Sequence, residues 1–258
     1  MNNIKNPNVA GLFYPQDSKE LYGFLDKLFL SNTSEVSFTP KAVIAPHAGY
    51  IYSASVAIEA YRCIPKETTK VAILSPTHYY QLDKIAYHPA SYFKTPLGDI
   101  NINQAIISDL KKINQVECIP EAFEKEHALE VHLPFLQYWL NDFSLVPLIV
   151  GQCGPLEVKE VIDFLIKNDV FIIISSDLSH FHTYEKAKEL DDITKLKLES
   201  LDFDHLDHKD ACGYYPLRGL LMYAKELGLA CKTLEMKNSG DTAGDKTRVV
   251  GYGSYAII

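Results

Sequence analysis

The sequence predicts an α/β protein, with three α/β/α layers built around a central, mainly parallel or mixed sheet. Short apolar runs of strand length, at 42–45, 71–74, 145–150 and 170–174, alternate with longer segments of helical period. Three of these runs end in histidine or aspartate, and strand ends are where open α/β sheets bind ligands. No fixed-period repeat, low-complexity tract or linker breaks the alternation, so residues 1–258 read as a single domain.

Taken in order, residues 1–16 form an extended entry segment closed by Tyr14-Pro15. Asp17 or Ser18 caps a helix whose Leu21, Phe24, Leu25 and Leu28 share one face. The polar stretch 31–40 is a loop ending at Pro40. Ala42–Ala45 is a strand that breaks at Pro46 and presents His47, and small Ala48 and Gly49 leave the imidazole uncovered. A helix then runs from Tyr50 to Tyr61. Val71–Leu74 repeats the arrangement, with Ser75-Pro76-Thr77-His78 at its tip. Residues 85–98 read as irregular, with a turn at Thr95-Pro96-Leu97-Gly98. Asn101 or Asn103 caps a helix to about Ile113. The stretch 124–134 reads as helical or partly so, and Pro134 kinks or restarts a helix that continues through Trp139.

Leu145–Val150 is a strand ending at Gly151, and Pro155 opens a helix to about Lys167. Val170–Ile174 is the most strand-like run in the chain and ends in Ser175-Ser176-Asp177-Leu178-Ser179-His180. An amphipathic helix spans Tyr184 to about Leu201. Cys212-Gly213-Tyr214-Tyr215-Pro216 leads into a helix ending near Gly228. Cys231–Met236 is a strand, 238–246 a Gly/Asp-rich loop, and Val249–Ile258 the closing strand.

Composition excludes several classes of function. The formal charge is -8 with no Lys/Arg cluster, which argues against nucleic acid as a partner. No apolar run reaches the roughly 18 residues of a membrane span, and the N-terminus has no signal-peptide core, so the expected location is the cytoplasm. The cysteines, Cys63, Cys118, Cys153, Cys212 and Cys231, are odd in number and lack CxxC spacing, against a disulfide framework or a zinc knuckle.

The strand tips carry the chemistry. A lone tip histidine is as well explained by a local turn contact, but His47 and His78 sit on two successive strands, which parallel pairing brings to one sheet edge. Imidazole is the commonest protein metal ligand, and a divalent ion needs a third donor. Asp177, Glu130, His180 and Cys212 are the candidates. Cys212 precedes a helix, whose N-terminus biases a thiol toward thiolate. His127 and His132 are five residues apart, about 140° on a helix, so they do not form a zinc-protease pair. His127 and Glu130 can share a face and enter the same pocket. His88, His182, His205 and His208 read as surface or packing residues, and the other cysteines as structural.

Longer motifs then narrow the reading. PHAGYIYS at 46–53, SPTHYY at 75–80, TPLGD at 95–99, EHALEVHLPFLQ at 126–137, VPLIVG at 146–151, SSDLSH at 175–180 and CGYYP at 212–216 stand in the order of the Memo family. VAGLFYP at 9–15 fits its bacterial and archaeal members. The chain resembles that family over nearly its whole length. In fold the Memo family resembles the class III extradiol (LigB-like) dioxygenases, non-haem Fe(II) enzymes that cleave catechol rings. The resemblance implies His47, His78 and Cys212 as metal ligands, His180 as the acid/base histidine and Asp177 beside it, with Glu126, His127 and Glu130 bordering the pocket. It implies one metal ion, Fe(II) first, with Cu(I) and Zn(II) open, because a thiolate stands where the dioxygenases have a carboxylate. A metal-dependent oxidoreductase acting on a small molecule or peptide is the leading reading. A non-catalytic (phospho)peptide-binding or Fe/Cu-handling module is the alternative, and bacterial and archaeal relatives imply a link to a radical-SAM protein.

Overall fold

The computed structural model describes residues 3–31 and 37–258. The first two residues of the entry segment, and positions 32–36 of the loop expected at 31–40, lie outside the described residues. The chain runs β1 (Ile4–Lys5), α1 (Ser18–Leu30), β2 (Ala42–Ala45), α2 (Tyr50–Arg62), β3 (Lys70–Pro76), β4 (Ile85–Tyr87), β5 (Tyr92–Thr95), β6 (Gly98–Ile102), α3 (Gln104–Leu110) and β7 (Val116–Cys118). Single 3-10 turns at Pro120–Phe123 and Glu130–His132 precede α4 (Leu133–Trp139). Then follow β8 (Ser144–Val150), α5 (Pro155–Lys167), β9 (Phe171–Ser175), β10 (His180–His182), α6 (Tyr184–Glu199), α7 (Tyr214–Glu226), β11 (Cys231–Asn238), α8 (Ser239–Thr242) and β12 (Val249–Ile257).

The heart of the sheet is β8-β3-β9-β2, four adjacent strands that all run parallel. Their sequences are almost wholly apolar because both sheet faces are covered, so no side of the strand meets water. β12 closes one flank antiparallel to β2, and β11 and β10 pair with β12. On the other flank β8 changes partner: β6 pairs at Ser144 and Leu145, β4 at Leu148 to Val150. Pro147 falls at the changeover, where a missing N–H leaves no gap in either ladder.

Helices flank this sheet on both sides to give the three layers. α5 and α7 pack on each other and against β9 and β3, while α2 covers β2 and β12 and meets α1 and α4. The close approach of α7 to α5 depends on Gly219, where a Cβ would come within 2.5 Å of Val158 Cβ. Caps sit where local chemistry predicts them. The Asp17 carboxylate accepts from Lys19 N and Glu20 N, Asn103 accepts from Ile106 N, and Glu157 reaches back to Gly154 N ahead of Pro155.

Three stretches differ from expectation, the shortest being the expected 238–246 loop, in which Asn238 caps α8 at Ser239–Thr242. Residues 85–102 are not irregular but hold β4 and the β5–β6 hairpin, whose strands are too short to show a clear alternation. The 124–134 stretch is helical only over the 3-10 turn and the start of α4, because Glu126 takes up the backbone N–H groups of His127 and Ala128 in place of helical carbonyls.

Candidate metal centre

Because β3, β9 and β2 are parallel neighbours, their C-terminal ends emerge together, with the β9 tip between those of β3 and β2. His47, two residues beyond β2, is 1% exposed. Its backbone N–H donates to Asp177 Oδ1 at 2.8 Å. Its Nδ1 lies 2.7 Å from Ser175 Oγ, and that hydroxyl donates its one proton to Ala128 O at 2.6 Å. The hydroxyl therefore accepts from His47 Nδ1–H, which fixes the tautomer and leaves the Nε2 lone pair free. Burial, then the neighbouring histidines, hold the His47 pKa well below the usual range, so the ring is neutral.

His78 is fixed by a carboxylate. Glu126 accepts from His78 N at 2.6 Å and from its Nδ1 at 2.9 Å, which again frees Nε2. Glu126 is 3% exposed and also accepts from His127 N and Ala128 N, both at 2.9 Å. Burial alone would raise the Glu126 pKa, but these bonds and His78 outweigh it and lower it. Burial likewise pulls His78 down, and Glu126 outweighs it and raises that pKa.

The third ring is His127. Its centroid lies 4.9 Å from that of His78 and 5.5 Å from that of His47, and the His47–His78 separation is 5.3 Å. One ring nitrogen from each of the three lies within 4.8 Å of the others, so the trio could hold a metal ion. The chemistry fits: two tautomers are set by groups behind the rings, as metal-binding histidines require. His127 Nδ1 is buried and makes no hydrogen bond, and it lies 3.4 Å from Glu126 Oε1. Phe13 packs on His127 from the other side, with centroids 4.7 Å apart.

Cys212 adjoins this trio from the β9 side. Cys212 Sγ is 3.3 Å from His47 Nε2 and accepts from Asp177 N at 3.2 Å. It reaches that position because Gly213 lies against the β9 tip, where a Cβ would meet Ser175 O at 2.5 Å. The residue keeps some surface, yet its thiol is deep enough that burial, then the Asp177 charge, push its pKa up. The thiolate bias expected of a helix N-terminus is thus overridden: desolvation penalises the anion more than the partial charge of α7 favours it. His180 Nδ1 is held 2.8 Å from Leu178 O, a pure acceptor, so its Nε2 carries the lone pair. Asp177 spends its Oδ1 on the His47 turn, and burial raises its pKa to about 6.

Glu130 faces elsewhere. It accepts from Asn8 N at 2.5 Å, Val9 N at 2.9 Å and Tyr14 Oη at 2.7 Å, tying down the N-terminal segment. His132 is fully buried and bonded to the Tyr61 hydroxyl. Cys63, Cys153 and Cys231 are buried and Cys118 is exposed, none of them bonded to another cysteine. Sequence reasoning did not single out Ser175 or Phe13. Ser175 was legible as part of the β9 tip, whereas nothing local marked Phe13.

The family model described as Memo-like protein matches residues 5–256. A MEMO1 family protein of Sulfurisphaera tokodaii is 35% identical, over 96% of this chain and 97% of its own. One from Aquifex aeolicus is 35% identical over the same shares, and one from Thermoplasma volcanium is 32% identical over 97% of each chain. Among solved structures, an uncharacterised protein from Escherichia coli K12 superposes with a TM-score of 0.52 at 12% identity, covering 84% of this chain and 99% of that one, which speaks for the fold alone. With relatives aligned end to end and the motif histidines gathered at one sheet edge, the chain belongs to the Memo family.

Proposed function

We propose that the protein is a metal-dependent oxidoreductase with a site of class III extradiol dioxygenase type. The observation that supports this most is the pair of imidazoles, His47 and His78, each held in one tautomer by a partner at Nδ1 at the tips of β2 and β3, with Cys212 Sγ 3.3 Å from His47 Nε2. His47, His78 and Cys212 are the proposed ligands of one ion, Fe(II) first and Cu(I) or Zn(II) next. When bound, the ion supplies Lewis acidity and, if redox-active, electrons. His180 is the proposed proton carrier: with Nδ1–H donated to Leu178 O, its Nε2 takes a proton from a bound molecule and returns it. Asp177 shapes the His47 turn and places its charge near His180. A cytoplasmic location and a link to a radical-SAM protein belong to the same reading and rest on the family resemblance.

The test is metal content of protein purified without air, followed by its spectrum on admitting O₂. One ion per chain and an O₂-dependent change support the oxidoreductase. One ion and no response to O₂ favours metal handling, and no metal with tight phosphopeptide binding favours the peptide module.

A further inference from the structure

We propose that His127 and Cys212 are alternative third donors to an ion held by His47 and His78. The His47–His78–His127 set takes a borderline divalent cation such as Zn(II), and the His47–His78–Cys212 set takes soft Cu(I). This rests on the metal reading above, keeps Cys212 for Fe(II) and Cu(I), and departs from it for Zn(II), because it makes the choice of ion a choice of donor.

The two donors reach the site on different elements. Cys212 comes in on the segment before α7, in contact with His47 Nε2 at 3.3 Å and anchored by Asp177 N at 3.2 Å. His127 comes in on the loop after the Pro120–Phe123 turn and lies beside both rings, with centroids 4.9 and 5.5 Å away. Its ligand nitrogen falls within 4.8 Å of those of both His47 and His78. Its Nδ1 is buried and makes no hydrogen bond, facing the Glu126 carboxylate at 3.4 Å, so no tight partner holds the ring away from an ion. Ser175 and Glu126, which fix the tautomers of the two shared histidines, are used in either set.

Ligand softness separates the sets. Three neutral imidazoles suit Zn(II) and its stand-in Co(II), and a thiolate suits Cu(I). Cu(I) binding through Cys212 breaks the S–H bond, forms a metal–sulfur bond and releases one proton to solvent. Binding through the imidazoles leaves that S–H bond intact.

The experiment uses the metal-free full chain, kept from air, with Zn(II), Co(II) and Cu(I) each added alone and affinities read by chelator competition. Co(II) stands in for Zn(II) because it reports its donors by absorption. The expected Co(II) spectrum has ligand-field bands but no near-ultraviolet thiolate-to-cobalt charge-transfer band. His127→Asn should weaken Zn(II) binding by about tenfold or more and leave Cu(I) nearly unchanged, and Cys212→Ser should do the reverse. A thiolate-to-cobalt band in the unaltered chain, which needs no variant to fold, overturns the proposal. So does an equal loss of both metals in either variant, and both results leave the metal centre itself standing. Failure of the unaltered chain to bind any of the three ions removes the metal reading as well.

Discussion

Ser175 has one hydroxyl proton, and Ala128 O takes it, so the imidazole of His47 has to supply the other hydrogen bond. Removing that hydroxyl frees the ring to adopt the wrong tautomer. Ser175→Ala should lower metal affinity by about tenfold, in the range of second-layer losses at metal-binding histidines, while His47→Ala should nearly abolish it. Chelator competition measures both. Glu126 has the same role behind His78, with a full charge added. His180 is different: its Nδ1 is committed to Leu178 O and its assignment is proton transfer. His180→Ala should therefore keep its metal by mass spectrometry, and where turnover is measurable it should lose about 10²–10⁴ in rate.

At the scale of elements, two close approaches of α7 decide different things. A Cβ at Gly219 would meet Val158, on the α5 side, and a Cβ at Gly213 would meet Ser175 O, at the β9 tip. Each alanine should cost about 1–3 kcal/mol of stability by overpacking, read from the urea midpoint. Only Gly213→Ala should also displace Cys212 from His47, so the two variants should match in stability and part in Cu(I) binding. A Gly219→Ala protein that loses Cu(I) equally would tie the loss to general loosening of α7. The elements differed in legibility for a physical reason. β2, β3, β8 and β9 carry continuous apolar runs because they are buried on both faces, and the Asp17 and Asn103 caps are local chemistry. β4 has only three residues, and β5 mixes buried and exposed positions over four, so their pairing partners, not their own pattern, hold them as strands.

For the whole molecule, buried histidines set the pH response. Burial lowers His132 from 6.5 to about 3, and burial likewise lowers His88 to about 4. Below about pH 6.5 the unfolded chain binds a proton at His132 that the folded chain refuses. That contribution to stability is present in full above 6.5 and is lost as pH falls toward 3, with a slope of up to about 1.4 kcal/mol per pH unit. Asp191, raised to about 6 by burial, acts oppositely: between 3.8 and 6 the folded state binds the extra proton, so stability falls there as pH rises. Between about pH 4 and pH 3 His132 should prevail, since Asp191 and His88 are by then protonated in both states. His132→Phe should flatten the low-pH limb of urea-unfolding stability against pH. An unchanged slope would assign the limb to other groups. The fold also carries a tie across the chain: Glu130 binds the 8–14 segment, and Phe13 of that segment packs on His127. Glu130→Gln should loosen the segment, seen as faster amide exchange at Val9, without unfolding the sheet.

The sequence by itself determined the α/β class, the succession along the chain of the four central strands and their helices, and the histidines at the strand tips. These follow from burial and periodicity, which are written in consecutive residues. Its motifs likewise carried the family. Tertiary structure decided what is non-local. The register of β3, β9 and β2 sets His78 and His47 on either side of the Ser175 tip, and α7 brings Cys212 across 165 residues to His47. The loop after the Pro120–Phe123 turn swings His127 in beside them and turns Glu130 away, because Glu126 accepts backbone N–H groups that a helix would have used. The protonation of Cys212 was decided there too. A helix terminus is visible in sequence, but the desolvation that outweighs it depends on atoms contributed by β9 and the His47 turn.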